Sequence, residues 1–257
     1  MQTKFYKYQG TGNDFILFDN RSLTFNKDNT KRIQALCDRK FGIGSDGLML
    51  LESHNDMDFK LVFYNPDASQ SFCGNGTRCA VTLANRLGMI GNNGTIEATD
   101  GIHDVTIDKN GVGVHMRDVS EIRTYGNDLW LNTGSPHYIV FVDDVNKVDV
   151  VVEGRKIRYA EPWAQAGTNV NFVEVDNEGL KIRTYERGVE NETLSCGTGV
   201  TAAAIAAHYT GKISTNNIKV TTLGGDLKVD LKKEGNGYAN IWLKGPAVEV
   251  FEGVVNL

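Results

Sequence analysis

Residues Lys4–Asp19, KFYKYQGTGNDFILFD, form two apolar-rich runs around Gly10, Gly12 and Asn13, the pattern of strand, tight turn and strand. The period then changes. Between Lys31 and Lys40, Ile33, Leu36 and Cys37 fall on one helical face, which predicts a helix. LMLLES (48–53) and Asp58–Tyr64, DFKLVFY, predict strands, and Asn65-Pro66-Asp67 breaks the second. Gly94–Met116 alternates (TIEATDG, HDVTID, GVGVHM), as antiparallel strands joined by Gly and Asn turns do. Around Arg117–Tyr125 the pattern lapses, which marks a domain boundary.

After that lapse the order repeats. Leu131–Asp144, LNTGSPHYIVFVDD, parallels the opening hairpin, with Gly134-Ser135 in the place of Gly12-Asn13. Leu180–Tyr185, LKIRTY, parallels Phe59–Tyr64, FKLVFY; Asn65 follows one and Glu186 the other. Asn217–Leu243 again reads as strands, and Thr222-Leu-Gly224 echoes Thr99-Asp-Gly101. The clearest repeat lies between these strands. Phe72–Gly88, FCGNGTRCAVTLANRLG, returns 123 positions later as Ser195–Gly211, SCGTGVTAAAIAAHYTG. Cys73 aligns with Cys196, Gly74 with Gly197, Gly76 with Gly199 and Gly88 with Gly211. Each copy is a cysteine, a glycine-containing turn, a helix nearly free of charge, and a glycine to end it. A helix that is apolar all round must be surrounded by protein. The expected fold is therefore α/β (α+β): two pseudo-symmetric domains from an internal duplication, each a curled, mostly antiparallel sheet around a central helix. The two helix N-termini, and with them the active site, are expected at the interface between the halves.

Composition narrows the class. The chain has 257 residues, 40% hydrophobic and 23% charged, which is globular rather than disordered, with a net charge of −5 that offers no basic footprint for nucleic acid. MQTKFYKYQG lacks the apolar core of a signal peptide, and no run approaches the about 18 apolar residues of a membrane span. The expected setting is cytoplasmic, with neither nucleic acid nor membrane as partner. The four cysteines (37, 73, 79, 196) include no C-x-x-C, and the five histidines show no ligand spacing, so no metal is expected. Three N-x-T sequons, at Asn75, Asn93 and Asn191, are chance without secretion. Gly42–Gly47 matches G-x-G-x-x-G literally, but a helix precedes it and a strand follows, the reverse of a dinucleotide site.

The chemistry rests on the repeated cysteines. Cys37 and Cys79 read as small buried hydrophobes, Cys79 having Ala202 as its counterpart. Cys73 and Cys196 sit where a helix N-terminus favours negative charge and activates a thiol. Acyl transfer needs only one thiol. Disulfide exchange needs two, but not two anion-binding helix ends. A cofactor-free racemase or epimerase needs both: one thiolate removes an α-proton and one thiol returns a proton to the opposite face. The carbanion spreads onto the substrate carboxylate, and N–H donors at Gly74-Asn75 and Gly197-Thr198 would stabilise it. Such a donor is worth about 3–4 kcal/mol.

GTGND, NPDAS…CGNGTRC, SPH, GTNVNF, YERGVE and LSCGTG occur in this order along the chain. Together they make it resemble the diaminopimelate epimerases over its full length. The resemblance implies a pyridoxal-independent isomerase, without cofactor, that converts LL- to meso-diaminopimelate for lysine and peptidoglycan precursor synthesis. It implies two domains with the chain end returning to the first: 1–118 plus 246–257 carrying Cys73, and 119–245 carrying Cys196. It makes Cys73 and Cys196 the acid/base pair, and gives the carboxylate to Gly74, Asn75, Gly197 and Thr198. Asn13, Asn65, Asn169, Glu186 and Arg187 would bind the rest of the amino-acid substrate, and His137, with Glu186, would tune the thiols. The expected assembly is a homodimer. Ser135 stands where the family usually has Asn, Gly47 where some members have Gln, and the Asn65–Cys73 segment is one residue shorter than is common. Related proline and hydroxyproline racemases share the two-cysteine plan without this YERG and GTGND combination. A two-cysteine redox protein and a small-anion binder built on two helix ends are the other readings.

Overall fold

The computed structural model describes residues 2–257. The chain divides into two compact units, Met1–Val114 with Gly245–Leu257, and His115–Lys244.

In chain order the first unit contains β1 (Gln2–Gly10), β2 (Asn13–Asp19), α1 (Thr30–Cys37), β3 (Gly47–Glu52), β4 (Phe59–Tyr64), α2 (Gly74–Arg86), β5 (Asn93–Ala98), β6 (Gly101–Asp108) and β7 (Gly111–Met116), inside which the division falls. A last strand, β17 (Val248–Asn256), belongs to the same unit and lies beside β1. Reading across the sheet from that strand through β1 to β7, the steps are antiparallel, antiparallel, parallel, antiparallel, parallel, antiparallel, antiparallel.

The second unit contains β8 (Ile122–Tyr125), β9 (Asp128–Asn132), β10 (Pro136–Phe141), α3 (Val150–Arg158), β11 (Asn169–Asp176), β12 (Gly179–Glu186), the short β13 (Asn191–Thr193), α4 (Gly197–Tyr209), β14 (Asn217–Thr222), β15 (Gly225–Glu234) and β16 (Gly237–Gly245). Its ladder runs β8-β9-β10-β11-β12-β14-β15-β16 with the same seven directions in the same order. The duplication read from the cysteine helices therefore extends to every step of the sheet. The final strand, β17, fills in the first unit the place that β8 fills in the second.

Each sheet carries a helix on either face, which explains its sequence. In the first unit Ile16, Phe18, Leu48 and Leu50 pack with Ile33 and Leu36 of α1. The alternate residues Phe15 and Met49 face α2, where both crowd Gly76. A strand buried on both sides reads as a continuous apolar run, as GLMLLE does. In the second unit Val170, Phe172 and Tyr185 pack with Val150 of α3, and α4 lies on β9–β12, β14 and β15. Every residue of α4 from Gly197 to Ala207 is buried. Small side chains are required there, because an added methylene in such a packed site costs about 1–3 kcal/mol. Both central helices end on a left-handed glycine, Gly88 at φ 69° and Gly211 at φ 71°.

Several elements were absent from the sequence reading, among them α3, β8, β11 and the strand at Val248–Asn256. Val150-Val-Val152 has the composition of a strand, yet Asp149 caps it by accepting from the Val152 N–H, and it forms the first turn of α3. Strand β8 is mostly exposed and so shows no alternation. The turn glycine equivalent to Gly101 is Gly225, not Gly224: the two share φ near 135° and open β6 and β15.

Candidate active site

In the first unit β4 delivers the chain through the Asn65–Ser71 loop to the N-terminus of α2. Cys73 is the N-cap residue, with φ −136° and ψ 108°, and its Sγ accepts from the Gly76 N–H at 3.4 Å. The sulfur lies 3.7 Å from Asn13 Oδ1. Asn13 is oriented by what holds its other end: its Nδ2 donates to Asp46 Oδ2 at 2.6 Å, and Asp46 is paired with Arg39. Asn13 Oδ1 also accepts from Asn75 Nδ2 at 3.4 Å. Asn13, Cys73, Gly74 and Asn75 are thus one cluster. Beneath it Arg78 is completely buried and donates to the carbonyls of Gly74 and Pro246 and to Thr11 Oγ1, with no carboxylate partner among the described residues. Burial pushes its guanidinium down to about 10, and the thiols of Cys79 and Cys73 act in the opposite direction. Cys79, in contrast, is sealed in the core, and burial pushes its thiol up to about 12. Burial likewise raises the thiol of Cys37.

Asn65 is placed at the other end of the preceding loop. Its Nδ2 donates to the Ser69 carbonyl, Ser69 Oγ and Ser71 Oγ, so its visible role is to hold that loop closed. A side chain at Gly47 would begin 2.3 Å from Phe63 Cε2, so this chain gives to Phe63 the volume that a larger residue at 47 would need.

In the second unit Cys196 caps α4 in the same extended conformation, φ −122° and ψ 108°. Its Sγ stands 3.5 Å from Thr198 Oγ1. Thr198 Oγ1 is 2.9 Å from Nε2 of the fully buried His137, and Asn171 Nδ2 reaches His137 Nδ1 at 3.1 Å. Burial pushes the His137 imidazole down to about 3, with Asn171 opposing and Arg187 assisting, so it is neutral at physiological pH. Sequence reasoning placed His137 and Thr198 here but missed Asn171 and Thr184. An inward-facing Asn between Val170 and Phe172 was the available signal.

Asn169, Glu186 and Arg187 form a second cluster at the end of β12. Asn169 Nδ2 donates to Pro136 O at 2.9 Å and Ser135 Oγ at 3.3 Å, and its Oδ1 accepts from the Arg187 N–H at 2.9 Å. Ser135, standing where a longer amide was expected, is tied to Asn169 in this way. Arg187 Nη1 donates to Ala166 O, and its side chain is exposed. Glu186 Oε2 accepts from Thr193 Oγ1 at 2.8 Å. The turn that carries Arg187 is fixed by Glu190, which accepts from the Gly188 N–H, Tyr159 and Tyr185.

Two copies of one sheet-and-helix unit, each with a cysteine capping its central helix, define a fold shared with epimerases and with the PhzF proteins. A hydroxyproline epimerase from Agrobacterium vitis superposes with a TM-score of 0.71 at 15% identity, over 99% of this chain and 92% of that one. A PhzF-family phenazine biosynthesis protein from Bacillus anthracis superposes with a TM-score of 0.79 at 15% identity over 100% of both chains. The sequence profile described as Diaminopimelate epimerase matches residues 5–121 and 129–250, and the chain belongs to that family. A diaminopimelate epimerase from Flavobacterium psychrophilum is 52% identical over 98% of this chain and 100% of its own length, and one from Aquifex aeolicus is 38% identical over 97% and 96%. The protein is an isomerase of the epimerase type.

Proposed function

We propose that the protein epimerises LL-diaminopimelate to meso-diaminopimelate without a cofactor, through a thiolate and a thiol supplied by Cys73 and Cys196. The observation that carries this reading is that each unit, taken alone, presents its cysteine as the N-cap of a buried helix while the two remaining cysteines are buried in the core. In the forward direction one sulfur takes the α-proton and the electron pair passes into the carboxylate. The other sulfur then returns a proton to the opposite face, so each turnover exchanges the protonation states of the two sulfurs. The N–H groups of Gly74, Asn75, Gly197 and Thr198 stabilise the doubly charged enediolate. Arg187 suits the distal carboxylate and Glu186 the distal ammonium, with Asn13, Asn65 and Asn169 shaping the surroundings. A place in the cytoplasmic synthesis of lysine and peptidoglycan precursors belongs to the same proposal. None of the helices among the described residues is long and apolar enough to cross a membrane.

The experiment is isotope exchange in deuterated water, with diaminopimelate and proline side by side and no pyridoxal phosphate added. Deuterium should enter the α-carbon of diaminopimelate alone, and turnover should vanish in both Cys73→Ala and Cys196→Ala. Exchange into proline instead would move the protein to the proline racemase type. Full activity in either alanine variant would overturn the two-thiol mechanism.

A further inference from the structure

Arg78, in the second turn of α2, is completely buried, and its acceptors are all neutral. Nη1 donates to the Gly74 carbonyl at 3.5 Å, Nη2 to Thr11 Oγ1 at 3.3 Å and Nε to the Pro246 carbonyl at 3.3 Å. The strands packed against α2 are β1 to β4 and β17. Strands β1 and β4 carry no acid. Every carboxylate on the others has a base of its own: Asp14 has Lys7 and Arg39, Asp19 has Arg21, Glu52 has Lys27, and Glu249 and Glu252 have Arg86. A guanidinium buried without an anion is costly. The second unit avoids that cost. At the equivalent position, 123 residues on, stands Thr201, equally buried, whose hydroxyl donates to the Gly197 carbonyl at 3.0 Å. Packing and hydrogen bonding at this place therefore do not require a cation.

The surroundings of Arg78 show which anion it faces. A Cβ on Gly10 would stand 3.0 Å from the Asn75 carbonyl oxygen and 3.3 Å from Arg78 Nη2, so the guanidinium lies against the first turn of α2. Thr11 is held at φ 51°, a left-handed conformation that a β-branched residue rarely takes, and its hydroxyl meets Arg78. The Gly74 carbonyl and the Asn75 N–H are the two ends of one peptide group. A donor on the carbonyl polarises that group and strengthens the N–H offered to the substrate carboxylate. Burial lowers the guanidinium only to about 10, which leaves it charged at neutral pH, and the thiols of Cys79 and Cys73 oppose that fall. Cys79 is sealed in the core with its thiol pushed up to about 12. Cys73, half-buried at the N-cap, is the one of the two that solvent reaches.

We propose that Arg78 is the fixed counter-charge of the anion held at the N-terminus of α2: the Cys73 thiolate before reaction, and the substrate carboxylate as it takes up its second negative charge. This rests on the proposed epimerisation and names a source of its electrostatic stabilisation. Arg78 is a positioning residue that acts through the Gly74–Asn75 peptide and across an interior that screens charge less than the surface does. The cation is in place before charge develops, so no reorganisation accompanies the step. The first two turns of α4 contain no charged residue. The two helix ends therefore differ: that of α2 is backed by a full charge, that of α4 by its dipole.

The test begins without turnover. In the Cys196→Ser variant, the rate at which iodoacetamide modifies Cys73, followed by peptide mass spectrometry across pH, gives that thiol's pKa. Adding Arg78→Gln, which keeps a donor for the Gly74 carbonyl and removes the charge, should raise it by about one unit. Arg78→Lys, which keeps the charge, should hold it near its starting value. A comparison with Arg78 intact covers the case in which the Gln chain does not fold: Cys73 should titrate below Cys196 measured in Cys73→Ser. With both cysteines present, Arg78→Gln should lower kcat for diaminopimelate about 10- to 100-fold and change KM less than about threefold. Arg78→Lys should restore kcat. Equal Cys73 pKa values in the Gln and Lys chains, or a Cys73 less acidic than Cys196, would overturn the proposal. A shifted Cys73 in a protein whose wild type exchanges no deuterium into diaminopimelate would uphold the counter-charge and remove the epimerase reading instead.

Discussion

A methyl group placed on Gly199 would lie 2.5 Å from Asn171 Oδ1. The second glycine of the CGTG motif is thus a matter of clearance: it lets a buried polar chain approach the first turn of α4. At the equivalent Gly76 a methyl group would meet Met49 Cε, the end of a flexible side chain that can swing away. Gly199→Ala should therefore destabilise the protein by about 1–3 kcal/mol. Gly76→Ala should be milder, because helix propensity returns up to about 1 kcal/mol. Urea unfolding of both variants checks the order; equal losses would contradict it.

His137 predicts a pH dependence. The unfolded imidazole takes a proton near 6.5, but burial holds the native one at about 3. The folded pKa is depressed, so this contribution to stability is complete above about pH 6.5 and is lost progressively as pH falls towards 3. The slope is about 1.4 kcal/mol per pH unit while the unfolded state alone binds the proton. Urea midpoints between pH 7 and 4.5 should fall less steeply in His137→Gln than in the wild type, whatever the variant's stability at neutral pH.

Lys7 is buried, its ammonium 2.5 Å from Asp14 and bonded to the Gly44 carbonyl. Burial pushes the Asp14 carboxyl up, but Arg39 and Lys7 outweigh it and hold the group below the usual carboxylate range. Asp14→Asn would strand the ammonium and should cost about 3 kcal/mol at pH 7. The carboxylate's contribution is present above about pH 4 and fades below it, so wild type and variant should converge in acid. Chemical unfolding at pH 7 and pH 3.5 decides this.

The four thiols should divide cleanly under labelling. Cys37 is 3% exposed and Cys79 is 0% exposed, each with its thiol pushed upward by burial. At pH 8 iodoacetamide should modify Cys73 and Cys196 in the native protein and reach the other two only after denaturation. Cys79→Ala should retain full turnover, and prompt native labelling of Cys79 would be inconsistent with its packing.

The sequence made the duplication legible because the Cys-Gly-x-Gly helices are its least variable part: their sheets leave room only for small residues, so Ala80, Ala84, Ala203 and Ala207 recur in step. Alternation disclosed the strands with one exposed face, and continuous apolar runs disclosed those covered on both. Helix α3 was hidden because Val150–Val152 has β-branched composition and only the cap at Asp149 favours a helix. The contrast between Phe15, Met49 and Phe63 and the residues at the same strand positions of the second unit, His137, Asn171 and Thr184, was hidden for another reason. Those residues lie far apart along the chain and become equivalent only through strand register, which a one-residue shift would change completely. Asn169 shows a similar limit: its motif marks it for substrate, while its hydrogen bonds show it clamping Pro136 and Arg187.

The strand at Val248–Asn256 pairs with Gln2–Gln9, which lies far from it along the sequence. During synthesis the Gln2–Gln9 edge must wait for Val248–Asn256 to emerge before it is covered. The second unit, His115–Lys244, has no such dependence and can close as soon as its own strands emerge. The half made second is thus free to fold first, and the half made first spends translation with an open strand edge, the state most exposed to mispairing.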